Sequence, residues 1–178
     1  RPIAAPAMVR SAAAHANAGA RWMAHGDLAT ARQYFLRAAE LGPDIQSGVA
    51  MNLALLEARD GHPDVALRAA MYAVHLEPRN FRPYTILALV LERTGHLAAA
   101  EAAFRRAIDL NPSDTSLRAE LARLVTSRTA IDQAQAQAMS AGLEALYQRN
   151  DPNAAVAEFL KVLELNPNYT EVKLQIAR

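Results

Sequence analysis

The chain has 178 residues, with 19 Lys+Arg against 18 Asp+Glu and no cysteine. That length supports one sizeable core or one elongated array, and the lack of cysteine excludes disulfides, thiolate metal sites and cysteine nucleophiles. The near-zero charge gives no overall attraction to nucleic acid or anionic lipid, and forty alanines with only seven glycines and nine prolines favour helices over a turn-rich β fold.

Residues 1–11 read as an N-terminal extension. The opening RPIAAPA lacks an initiator Met and a signal-peptide layout, which reads as the trimmed boundary of a longer parent. No apolar run approaches the roughly 20 residues that cross a bilayer, so no direct membrane insertion is expected. Seventeen arginines against two lysines point to a GC-rich, bacterial genome and leave the compartment, cytoplasm or periplasm, unknown.

A repeat follows over 12–114. Its first unit (12–45) carries Ala18-Gly19 and Trp22, a turn at Gly26, then Ala31, Phe35 and Ala38 before Leu41-x-Pro43. Its second (47–80) carries Leu53-Ala54, Glu57, Gly61, Ala66, Ala70 and Ala73 before Leu76-x-Pro78. Its third (81–114) carries Tyr84, Leu87-Ala88, Gly95, Ala100, Phe104 and Ala107 before Leu110-x-Pro112. The closing prolines are 35 and then 34 residues apart.

Each column has a physical reason. Gly or Asn supplies the positive φ that ends one helix and lets the next begin. Small, aromatic and small residues at offsets of four and three lie on one helix face, where the small residues admit a neighbouring helix and the ring fills the space beside them. The closing proline blocks continuation of the helix. Each unit is therefore expected to be a helix hairpin, with Trp22, Phe35, Leu53, Leu87 and Phe104 buried.

The next closing proline comes 55 residues later, so the array is interrupted. Residues 115–135 read as an irregular helical junction. Ser113 or Asp114 can cap a helix to about Thr126, with Leu117, Leu121, Leu124 and Val125 on one face. A polar break over 126–129 is expected before a long helix over roughly 130–149 that includes the run DQAQAQA. Such a junction is either a lost half-repeat or a joint that sets the angle between two arrays. Residues 136–178 read as a partial repeat (Asn150, Ala155, Phe159, Val162, Leu165-x-Pro167), with Phe159 buried, plus a terminal helix from Tyr169. Val172, Leu174 and Ile176 on that helix offer a route to self-association.

These columns resemble the tetratricopeptide repeat family, whose pattern is an aromatic, Leu-Gly, a second aromatic, Ala-x-x-x-Phe and a closing Pro. The resemblance implies an all-α, right-handed solenoid of helix-turn-helix repeats. Ala54 and Ala88 depart from it where glycine is usual, Glu57 where an aromatic is usual, and Ala70 where Phe is usual. It also implies that the first helix of each hairpin lines a concave groove. That places Ala13, Ala16, Ala20 and Met23 there from the first repeat, Gly48, Met51, Asn52, Leu55 and Arg59 from the second, and Arg82, Thr85, Leu89 and Arg93 from the third. Ala119 and Arg123 follow from the helix after Pro112. One subfamily clamps a peptide carboxylate through five positions of this face. Asn52 and Arg82 fit two of them, whereas Ala16, Ala20 and Ile86 stand at the other three, so that clamp is not expected.

Chemistry is otherwise sparse. His25, His62 and His96 recur beside the turn glycines, about 10 Å apart on stacked repeats, too far for one metal. Arg37, Arg105, Arg106 and Lys161 precede Glu40, Asp109 and Glu164 at ion-pair spacing, which suits solvated pairs, not an acid/base couple. No catalytic or phosphate-binding motif occurs, so neither catalysis nor a cofactor or metal is expected. The expected function is a scaffold or adaptor that binds a protein or peptide partner, amphipathic and acidic, against Met51, Leu55 and Leu89 with arginines alongside. The strip could equally pack between neighbouring first helices. The alternative function is a segment of a larger enzyme or membrane-associated assembly, serving in assembly or self-association.

Overall fold

The computed structural model describes residues 4–42 and 45–167, with Lys173 and Ile176. Eight α-helices follow one another among these residues, and none of the described residues forms a strand: α1 (Ala4–His25), α2 (Leu28–Leu41), α3 (Gln46–Arg59), α4 (Pro63–Leu76), α5 (Phe81–Arg93), α6 (Leu97–Leu110), α7 (Thr115–Tyr147) and α8 (Pro152–Leu165). The architecture is an α-solenoid of antiparallel helix hairpins. It divides into two compact units, Arg1–Leu124 and Val125–Arg178.

The turn columns behave as their chemistry dictates. Gly26, Gly61, Gly95 and Asn150 have φ of 88°, 83°, 80° and 50°, the left-handed region. Capping side chains start several helices: Asp27 accepts from the Thr30 amide, Asn80 from Arg82, Asp151 from Ala154, and Asp114 from Ser116 and Leu117. Pro63 and Pro152 occupy first helical positions, where a missing N–H costs nothing.

In the first unit, α1 pairs with α2, α3 with α4 and α5 with α6. Ala31, Phe35 and Ala38 pack with Val49 and Leu56. Ala54, Ala66, Ala70 and Val90 form a second cluster, and Phe104 lies among Ala88, Leu91, Ala100, Ala107, Leu117 and Leu124. Phe35 and Phe104 are fully buried. The small residue opposite each ring has a direct steric reason in the first hairpin, where a Cβ on Gly19 would stand 2.8 Å from the Phe35 ring.

Three expectations are corrected in this unit. Trp22 is 43% exposed. Its counterparts Glu57 and Leu91 are buried: Glu57 meets Arg32 of the preceding hairpin, and Leu91 shares a cluster that Leu67 packs against. No preceding helix lies over that face of α1 among the described residues. Leu53 and Leu87 are half-buried, packed at the margin of their clusters. Arg105 turns back to Glu101 at 2.6 Å, so it serves the start of its own helix and not Asp109.

A further correction concerns the course of the chain in α7, which runs unbroken through 126–129. Thr129 Oγ1 donates to the Val125 carbonyl at 2.9 Å, so its hydroxyl is satisfied along the helix and does not compete with it. In the second unit, Ala138, Ala145, Ala155, Phe159 and Val162 form the core, with Ile176 packed against it. A Cβ on Gly142 would stand 2.4 Å from the Phe159 ring. Lys161 pairs with Glu158 at 2.7 Å, not with Glu164. Pro43, Val172, Leu174 and most of the expected terminal helix lie outside the described residues.

Candidate binding groove

Two adjoining recesses open on the first helices of the first unit. One, of about 390 Å³, is lined by Gly48, Met51, Asn52 and Leu55 of α3, by Phe81, Arg82, Thr85 and Ile86 of α5, and by Asp114, Ser116 and Leu117 where α7 begins. The other, of about 580 Å³, is lined by Met23, Leu55, Arg59, Leu89, Glu92, Arg93 and Arg123. Leu55 belongs to both. The N-terminal halves of α3 and α5 meet in the first recess and their C-terminal ends in the second, so the two helices run side by side in the same direction. At 1.5 Å per residue, Arg82 and Arg93 are about 16 Å apart along α5, and Met51 and Arg59 about 12 Å along α3.

Of the fifteen residues placed on this face from the sequence, eleven line one recess or the other: Gly48, Met51, Asn52, Arg82 and Thr85 the first, Met23, Arg59, Leu89, Arg93 and Arg123 the second, and Leu55 both. Ala13, Ala16, Ala20 and Ala119 line neither. Ala16 and Ala20 instead pack against the Phe35 cluster, as Met23 does from its place at the recess wall. Leu89 serves two purposes, since it also packs against the Phe104 cluster, whereas Met51 and Leu55 belong to no buried cluster.

The arginines are not equivalent. Arg123 makes two bonds of 2.8 Å to the Glu92 carboxylate and one of 2.9 Å to Glu120, and these raise its already high pKa further. Arg59 donates through Nη1 to the Met23 carbonyl at 2.9 Å. The side chains of Arg82 and Arg93 are exposed, with no hydrogen-bond or ion-pair partner among the described residues. Asp114 is engaged by the Ser116 hydroxyl and the first amides of α7, which hold its carboxyl below the usual range. Glu92, Phe81 and Asp114 were not signalled by the repeat columns. Only the stacking of α5 against α7 brings Glu92 to Arg123, 31 residues away.

A second polar cluster sits between the first two hairpins. Glu57, 6% exposed, receives Arg32 Nε at 2.6 Å and Nη2 at 3.0 Å, and the same guanidinium reaches Asp60 at 2.6 Å. His62 Nδ1 lies 3.0 Å from Glu57. The Arg32 bonds hold the Glu57 carboxyl below its ordinary range against the opposing effect of burial. Glu57, Asp60 and His62 bring ligand-type atoms within 4.8 Å of one another, but the guanidinium already fills the position between both carboxylates. The arrangement suits a joint between repeats better than a metal site. The other turn histidines have different partners: His25 bonds to the Arg21 carbonyl and His96 to Thr94.

Stacked helix hairpins with small-aromatic-small columns and a groove along their first helices define an α-helical repeat protein of the protein-interaction class. Residues 51–115 and 142–169 each match the tetratricopeptide repeat, together just over half of the chain. The chain belongs to the tetratricopeptide repeat family, whose members are generally non-enzymatic interaction modules. No curated protein matches it in sequence. Among solved structures it is similar to the first such domain of Spaghetti (RPAP3) bound to an HSP90 peptide, SRMEEVD, at 18% identity and a TM-score of 0.60, covering 67% of this chain and 97% of that one. It is also similar to TTC0263, a thermophilic repeat protein of Thermus thermophilus, at 20% identity and a TM-score of 0.58 over 93% and 97% of the two chains. A third likeness, to pilF of Pseudomonas aeruginosa, has 21% identity and a TM-score of 0.55, covering 96% of this chain and 68% of that one. At these identities the likeness is one of fold. No described helix is long and apolar enough to cross a membrane.

Proposed function

We propose that this protein is a non-catalytic interaction module that seats a short segment of a partner protein on the inner face of its first unit. The observation that carries this reading is the convergence of side chains from α1, α3, α5 and α7 on two recesses with a shared apolar ridge and an arginine rim. The RPAP3 domain, with its bound HSP90 peptide, supports a peptide as the kind of ligand. Met51, Leu55, Ile86 and Leu89 would supply most of the affinity through buried apolar area, at roughly 25 cal/mol per Å². Exposed arginines would chiefly orient the ligand and speed its approach. Met51 and Met23 make the floor adaptable.

The test is selection from a displayed library of random peptides on wild-type protein and, in parallel, on Leu55→Asp and the Leu55→Asp, Leu89→Asp pair. Circular dichroism establishes that each variant is folded. Leu55 lies outside the buried clusters, so the single change leaves the core intact. Enrichment on wild type and its loss on Leu55→Asp is the expected outcome. Equal enrichment of the same peptides on both would remove the groove as the binding site.

A further inference from the structure

We propose that the groove takes an extended segment with an apolar centre and an acidic residue at each end, laid along α3 and α5. This rests on the groove reading above and adds the charge pattern, length and conformation of the ligand. Three observations carry it. The first is the placement of Arg82. It stands in the first turn of α5, where the helix dipole disfavours a cation, so helix stability does not account for it. Its side chain is exposed and unpaired among the described residues, beside a recess whose one lining carboxylate among those residues, Asp114, is already engaged by the Ser116 hydroxyl and the first amides of α7. A carboxylate there would meet both the guanidinium and the positive end of the helix.

The second observation is the opposite end of the groove. Arg59 and Arg93, in the last turns of α3 and α5, flank the second recess. The one carboxylate lining that recess among the described residues, Glu92, is held by Arg123 in a two-bonded pair, so it does not neutralise Arg93. Arg59 gives one nitrogen to the neutral Met23 carbonyl and has no carboxylate partner among the described residues. A basic ligand residue would have to break the Glu92–Arg123 pair to find a partner, whereas an acidic one meets two cations directly.

The third is the floor between these ends. Leu55 divides it into two recesses, and alternate side chains of an extended chain, about 7 Å apart, can enter one each. The roughly 16 Å from Arg82 to Arg93 corresponds to five or six extended residues at about 3.3 Å each. A helix covering the same span needs about eleven residues, and only every third or fourth of its side chains would face the two recesses.

The probe is the peptide Asp-Ala-Leu-Ala-Leu-Asp, amidated and labelled with fluorescein through a Gly-Gly spacer, titrated with the full chain by anisotropy. Companion peptides carry Asn at the first, the last or both ends, or Lys at both. Each Asp→Asn change is expected to weaken binding by about two- to five-fold, the range for exposed charge pairs, and the Lys form to bind more weakly than the doubly Asn form. Arg82→Gln should abolish sensitivity to one terminal Asp and the Arg59→Gln, Arg93→Gln pair sensitivity to the other, which also fixes the direction of the ligand. A doubly Asn peptide that binds as tightly as the Asp form, yet is lost in Leu55→Asp, overturns the charge pattern and keeps the groove. Loss of sensitivity to both ends in either arginine variant overturns the two-ended arrangement. No binding by any peptide at millimolar concentration, with library selection still dependent on Leu55, likewise overturns this proposal alone. Peptide binding unaffected by Leu55→Asp overturns both.

Discussion

The first two hairpins meet the same repeat requirements by different means. In α1–α2 the Phe35 ring sits where any Cβ on Gly19 would collide with it, so two helices are locked by shape. In α3–α4 the corresponding residues are Ala54 and Ala70, both fully buried, and no ring stands between the helices. What distinguishes this second hairpin is lateral: Glu57, where the family places an aromatic, reaches across to Arg32 of the first. A repeat can therefore draw its cohesion from a ring within the hairpin or from an ion pair to its neighbour, and the two kinds of contact respond to different perturbations.

The largest expected effect breaks the first kind. Phe35→Ala should cost about 3–5 kcal/mol by cavity formation, whereas Ala70→Gly should cost only about 1 kcal/mol, mostly in helix propensity. Chemical denaturation of both variants checks the contrast, and similar losses would erase the distinction drawn between the hairpins. Next comes Glu57→Gln, expected to cost about 1–3 kcal/mol, below a fully buried pair because Arg32 is 31% exposed. This effect carries a pH signature. Glu57 has a folded pKa below its unfolded one, so its contribution is fully present above the unfolded value and is lost as pH falls through the folded value. Stability measured from pH 7 into the acid range should thus converge for wild type and Glu57→Gln, and a difference that persists unchanged would show that the ion pair is not its source.

Smaller still is Gly19→Ala. Overpacking against Phe35 opposes the gain in helix propensity, for a net loss of about 1–2 kcal/mol. Gly48→Ala is the companion of opposite sign. Nothing lies within 4 Å of the place a Cβ would take there, so removing glycine from the first turn of α3 should stabilise by a few tenths of a kcal/mol up to about 1. Thermal melts of the pair would show opposite shifts in Tm.

Spacing alone made the hairpins legible, because each column states a local demand: Gly26, Gly61, Gly95 and Asn150 need a left-handed corner, and Phe35, Phe104 and Phe159 need small neighbours three and four residues away. Legibility failed where a residue's environment is set by something distant. Trp22 shares a column with two buried residues, whose cover comes from the preceding hairpin, and no described residue supplies that cover to Trp22. Residues 126–129 are polar enough for a loop but remain helical because Thr129 satisfies itself on the Val125 carbonyl. In the groove, helix phase places Met51, Leu55 and Leu89 on one side, but the pairing of Arg123 with Glu92 depends on how α7 stacks, which no local pattern encodes. That pairing is what separates a neutralised arginine from Arg82 and Arg93.

Three long-range bonds among the described residues of the first unit join neighbouring hairpins. Arg59 reaches back 36 residues to Met23, Arg123 reaches 31 to Glu92, and Arg32 reaches forward 25 to Glu57. Loops of that size cost little entropy to close, so each hairpin can form and find its neighbour before distant parts of the chain arrive. Folding in this unit should accordingly be fast and able to start at any hairpin, with growth outward from there. The same locality lets one hairpin open while its neighbours stay folded, so amide exchange should be slowest in the buried Phe104 cluster and faster at the exposed corners of Gly26, Gly61 and Gly95.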